Sequence, residues 1–138
     1  NVRVVGPVPF GDVPTYLRCA DVACSPYPPM WEHQVASPTK SLEAMGAGVA
    51  VVGNVEVAEH AAILPASGGG VAVPWDVDAF ASAIVDLFSN EVRRDAMGRD
   101  GLRWVAAHRS YQHLTDYLEQ ILLAAGGAAA LRALPHAP

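Results

Sequence analysis

The stretch Ser37-Pro38-Thr39-Lys40-Ser41-Leu42-Glu43-Ala44-Met45-Gly46-Ala47-Gly48 runs straight into Val49-Ala50-Val51-Val52 and constrains the chain more than any other. A residue able to cap a helix stands before a proline, which the first helical position tolerates. Leu42, Ala44, Met45 and Ala47 supply apolar positions, and a glycine closes the element, as helices often end. The run after it is apolar and rich in valine, which reads as a strand. A short helix from Thr39 to Ala47 feeding a strand from Val49 to Val52 is a building unit of α/β folds. Lys40 is the only lysine in the chain, and Glu43 lies one turn further along the same helix face. On spacing alone the two are either a surface ion pair or part of a seat for a phosphorylated ligand. The second option uses the free N–H groups and positive end of the helix beside the lysine.

The rest of the chain supports a parallel α/β layout. Val2-Arg3-Val4-Val5 reads as a strand closed by Gly6-Pro7, and Asp12 as the cap of a helix from Val13 to Cys19 with Pro14 in its first turn. Val22-Ala23-Cys24, closed by Ser25-Pro26, completes a predicted βαβ unit. The loop from Tyr27 to Ala36 is long for a connection of this kind and leaves the carboxyl end of a strand, where open parallel sheets bind ligands. Its Trp31, Glu32 and His33 are either ligand-facing or plain loop residues. Gly53-Asn54-Val55-Glu56 is a further loop of this kind, Ala58 to Leu64 a short helix ended by Pro65, and Ser67-Gly68-Gly69-Gly70 a flexible turn before strand Val71-Ala72-Val73. Asp76 caps an amphipathic helix to about Ser89. Glu91 to Ala107 is a helix interrupted by Gly98 and Gly101, and Ser110 caps a last helix with Tyr111, Leu114, Tyr117, Leu118, Ile121 and Leu122 as its apolar stripe. Residues 1–123 form one predicted domain, and residues 124–138 read as a disordered Ala/Gly/Pro tail.

Composition narrows the function classes. Half of the residues are hydrophobic (51%), enough for a core, and the net charge is −5. The arginines gather mainly after Arg93 among acidic neighbours, which argues against nucleic acid, whose backbone asks for a clustered basic face. No apolar run is long enough to span a bilayer, and no leader pattern opens the chain. Cys19 and Cys24 read as small core residues in a reducing compartment, so a cytoplasmic location is expected. His33, His60, His108, His113 and His136 are scattered without zinc spacing. No Gly-x-Ser-x-Gly nucleophile turn and no Gly-rich dinucleotide turn occurs, and Ser67–Gly70 is followed by neither the lysine nor the helix of a phosphate loop.

Ser37-Pro38-Thr39-Lys40, Leu42-Glu43-Ala44-Met45 and Gly48-Val49-Ala50-Val51-Val52 together resemble the donor-binding segment of retaining glycosyltransferases of the GT-B fold, family 4 (group 1) type. Gly6, Tyr16 to Val22, Ser25-Pro26, Gly69-Gly70-Val71 to Pro74-x-Asp76 and Met97-Gly98 follow in that family's order, so the likeness covers roughly residues 2–123. The resemblance implies a Rossmann-like parallel sheet flanked by helices, the C-terminal half of a GT-B fold, incomplete at its N-terminus. It implies transfer of a sugar from a nucleotide diphosphate sugar, with retention, to a glycan, lipid or small-molecule acceptor. It calls for no metal and no cofactor beyond the donor. The N–H groups of Thr39, Lys40 and Ser41, behind Ser37, would hold the diphosphate. Lys40 would offset charge on the leaving group and Glu43 would accept from the ribose hydroxyls.

Many relatives carry a first glutamate eight positions before the second, where this chain has Val35, so Glu32 or Gln34 would have to stand in; Gly53 either lets the sugar approach the backbone or belongs to a plain turn. The upstream basic pair and the acceptor-binding domain that the resemblance implies are not among these residues, so the chain reads as a fragment inactive on its own. Two alternatives stay open: a nucleotide-sugar epimerase of the same fold, and a non-catalytic α/β interaction module.

Overall fold

The computed structural model describes residues 2–124. Three strands, β1 (Val22–Ser25), β2 (Ala50–Asn54) and β3 (Gly70–Val73), form a parallel sheet in that order. Val22 faces Ala50 across the first pair, and Val51 faces Gly70 across the second. A short 3-10 turn, Phe10–Asp12, leads into α1 (Val13–Arg18). After β1 come α2 (Trp31–Gln34) and α3 (Thr39–Gly46), then β2, α4 (Ala58–Ser67) and β3. The chain closes with α5 (Val77–Ser89), α6 (Glu91–His108) and α7 (Tyr111–Ala124).

Period-two alternation along β2 sends its side chains to two cores. On one face Val51 packs with Ala44 and Met45 of α3 and with Ile63 and Leu64 of α4, with Trp104 and Val105 of α6 at the margin. On the other, Ala50 and Val52 meet Leu87, Phe80 and Ile84 of α5, with Met97 of α6 beside them. Every residue of β2 is buried, as expected of a central parallel strand covered on both sides. The α/β, Rossmann-like expectation holds.

Several local expectations are corrected. Residues 2–5 form no strand; Val2 and Val4 are 94% and 90% exposed. Valine-rich sequence favours extended backbone, but a strand needs a ladder partner, and none lies beside this segment among the described residues. The first βαβ unit is therefore not formed, whereas β1–α3–β2 and β2–α4–β3 are. The 27–36 segment is not all loop, since it holds α2. Strand β2 runs on through Gly53 and Asn54, which were expected in a loop. Helix α4 continues past Pro65, which lies exposed in its last turn, to Ser67, and Gly68 then closes the helix with a left-handed backbone (φ 66°).

Neither Ser37 nor Asp12 caps its helix through the side chain: Pro38 takes the cap position of α3, and Asp12 makes no cap hydrogen bond. Asp76 and Ser110 do cap as expected, accepting from the N–H groups of Ala79 and His113. Cys19 and Cys24 are exposed free thiols rather than core residues. Gly98 and Gly101 do not interrupt α6. Both are buried where α6 crosses the entries to β2 and β3: a Cβ on Gly98 would run into the Gly48 carbonyl, and one on Gly101 would lie 3.0 Å from the Gly69 Cα. The expected 124–138 tail lies outside the described residues apart from Ala124, the last residue of α7.

Candidate functional site

The carboxyl ends of β1, β2 and β3 open onto one set of loops, and α3 begins among them. Asn54, the last residue of β2, is fully buried, and its side chain organises this end of the molecule. Its Oδ1 accepts from the Tyr27 N–H at 2.9 Å, and its Nδ2 donates to the Tyr27 carbonyl at 3.0 Å and to Glu56 Oε2 at 2.9 Å. An amide that offers both donor and acceptor can hold both backbone groups of one residue. Glu56 passes the tie to the third strand: its Oε1 accepts from the Trp75 N–H at 2.9 Å. Desolvation pushes the Glu56 carboxyl up, but the hydrogen bonds from Trp75, Asn54 and its own N–H outweigh it and hold the group below the usual carboxylate range.

The β1–α3 connection is shaped by the same contacts. His33 Nδ1 lies 2.8 Å from the Pro28 carbonyl, and its ring meets the Tyr27 ring edge-on at 5.4 Å. Trp31 is 78% exposed, and Glu32 and Gln34 are exposed on α2. Val35, at the position of the relatives' first glutamate, is also exposed.

Helix α3 splits the expected residues into two groups. Ser37, Thr39, Lys40 and Glu43 are exposed, whereas Ser41 is turned inward. The N–H groups of Thr39 and Lys40 find no acceptor among the described residues; that of Ser41 already donates to the Pro38 carbonyl at 3.0 Å. Lys40 and Glu43 do not form the ion pair that their spacing allows, since the four ion pairs among the described residues involve other groups. Both charges are thus left for solvent or a ligand. Glu43 stands about one helical turn, roughly 5 Å along the axis, behind the free N–H groups. It borders an open groove of about 460 Å³ between α1 and α3, with Phe10, Pro14, Leu17 and Arg18 on the far side. That volume lies in the range of small-molecule sites. Gly53 faces the other way, into the core, where a Cβ would lie 2.7 Å from His60 Nδ1.

The residue that sequence reasoning passed over is His60. It is 2% exposed on α4, and its Nε2 lies 2.8 Å from Ser41 Oγ, itself buried. Burial pushes its pKa below the usual imidazole value; the Asn54 backbone and the Glu59 charge oppose this without reversing it. The signal was present: His60, Ile63, Leu64 and Ser67 follow the i, i+3, i+4, i+7 spacing of a buried helix stripe. Asn54 gave no such signal, because a lone Asn after a valine run reads as a turn residue.

Among the described residues no three side chains of His, Cys, Asp or Glu come together as a metal site, and no helix is long and apolar enough to cross a membrane. No curated protein and no solved structure matches the chain significantly. The family described as Glycosyl transferases group 1 matches residues 1–90. That is well over half of the sequence, and it takes in β1, α3 and β2, the loops that Asn54 ties and the exposed first turn of α3: the chain belongs to the group 1 glycosyltransferases.

Proposed function

We propose that this chain carries the donor-binding site of a retaining glycosyltransferase, which moves a sugar from a nucleotide diphosphate sugar to an acceptor. Family membership supports the transferase class. The observation that carries the site is the first turn of α3, where two N–H groups without acceptors and a lysine sit one turn ahead of a carboxylate, both charges unpaired among the described residues. The diphosphate binds at the Thr39 and Lys40 N–H groups, where the helix dipole favours anions. Lys40 offsets the charge that grows on the diphosphate as it leaves. Glu43 accepts from the ribose hydroxyls, a vicinal diol suited to an acceptor-only carboxylate. The sugar extends past Glu32 and Gln34 of α2. Sugar transfer is not expected of these residues alone, since neither the basic pair nor an acceptor-binding part is among them.

The test is NMR shift mapping with UDP and GDP, in high excess, on wild type, Glu43→Ala and Lys40→Ala. Binding of one nucleotide, with shifts centred on Thr39–Glu43 and affinity lowered about tenfold in each variant, is the expected result. If both variants bind as wild type does, Lys40 and Glu43 are ordinary surface charges. If neither nucleotide binds, a non-catalytic interaction module becomes the better reading.

A further inference from the structure

We propose that His60 is a positioning residue for the donor site, bracing the first turn of α3 through Ser41. This rests on the donor-site reading above. His60 touches three elements that surround that turn. Its Nε2 is bonded to Ser41, the residue after Lys40. Its ring fills the space that Gly53 leaves at the end of β2, and it meets the Tyr27 ring edge-on at 5.8 Å. Tyr27 is the same residue whose backbone N–H and carbonyl Asn54 holds. The imidazole therefore joins α4, β2, the β1 loop and α3 at one buried point.

Packing alone does not call for a histidine here. The neighbours on its helix stripe are Ile63 and Leu64, and an apolar side chain of similar volume would avoid burying a polar ring. What the imidazole adds is the bond to Ser41. The aim of the Thr39 and Lys40 N–H groups depends on the orientation of that turn, and small losses of aim weaken a charge-assisted site. Gly53 serves the same end. It lies too close to His60 to carry a side chain, so β2 makes room for the brace.

The experiment compares wild type with His60→Met, His60→Gln, Ser41→Ala and the Ser41→Ala/His60→Met double variant. Met keeps the bulk without a matching hydrogen bond; Gln places an amide where Nε2 stands. Two quantities are read: the amide shifts of Thr39, Lys40 and Ser41 without ligand, and the affinity for UDP and GDP. The brace predicts displaced amides and about tenfold weaker nucleotide binding in His60→Met and in Ser41→Ala, with the double variant no worse than either single one. His60→Gln recovers most of both. Unchanged amides in Ser41→Ala and His60→Met overturn the proposal, as does full recovery by Met, which would make His60 a packing residue. A wild type that binds neither nucleotide refutes the donor-site reading, and with it the donor role of His60. The ligand-free amide shifts then still decide whether His60 braces the helix.

Discussion

At the carboxyl ends of the strands the loops are tied by polar side chains, whereas at the amino ends the chain closes by glycine backbones pressed against a helix. On the first side, Asn54 and Glu56 tie the end of β2 to the segments that follow β1 and β3, and the Ser41–His60 bond ties α3 to α4. On the second, Gly98 of α6 lies against the Gly48 carbonyl with no space for a Cβ, and Gly101 of α6 lies so close to Gly69 that a Cβ on Gly69 would be 2.6 Å from its Cα. Directional bonds hold groups at set positions yet leave gaps that a ligand can enter. Backbone contact excludes everything, including one more carbon atom. One sheet thus has an end built for recognition and an end built for closure.

The largest effect is expected from one added atom at the closed end. Gly98→Ala gains helix propensity worth about 1 kcal/mol. It still has to push α6 off the Gly48 carbonyl, so a net loss of roughly 3 kcal/mol is expected, visible as a fall in melting temperature on the order of 10 °C. A variant as stable as wild type would mean that α6 shifts freely and the contact is incidental.

Removing atoms at the open end should cost less. Asn54→Ala strips three hydrogen bonds from a fully buried position, for a loss of about 2 kcal/mol. Faster amide hydrogen exchange should appear across residues 27–36 while α6 stays protected. If exchange rises equally at both ends, the division between them is wrong.

Asp76→Ala, at the start of α5, removes a single exposed cap and should lower stability by about 1 kcal/mol in chemical denaturation without altering the loops. Loss of structure beyond α5 would count against a local role.

The mildest perturbation is a proton, which removes no atom. His60 has a folded-state pKa below its ordinary value near 6.5. The unfolded chain therefore takes up the proton first as pH falls. Stability should be fully present above about pH 6.5, decline as pH falls below that toward the folded-state value, and then level off. Besides Ser41, the groups facing His60 are Tyr27 and Glu59, and the Glu59 charge limits the effect. Denaturation midpoints at pH 7.5 and 5.5 should differ more for wild type than for His60→Gln; equal differences would place the acid sensitivity elsewhere.

Local pattern made much of the fold legible. The helix-to-strand passage at 37–52, the caps at Asp76 and Ser110, and the apolar stripe of α5 all follow from spacing and from groups a few residues apart. The misreadings share a cause. Residues 2–5 have strand-like composition but no ladder partner among the described residues. Gly98 and Gly101 look like helix breakers until their neighbours across the fold are seen. Gly53 and Asn54 look like a turn but end the most buried strand. The candidate site divides in the same way: Thr39, Lys40 and Glu43 could be named from one helix face, while Ser41 was grouped with them although its hydroxyl points inward to a histidine nineteen residues away.

Propensity and short-range order suffice for the α/β class, for the start of α3 that exposes Lys40 and Glu43, and for the likeness to a glycosyltransferase donor segment. That Asn54 holds the loop after β1, that His60 meets Ser41, and that the glycines of α6 face other glycines emerges only in three dimensions. Each of these joins residues far apart in the chain through contacts of a few ångströms, and no local pattern carries a distance of that kind.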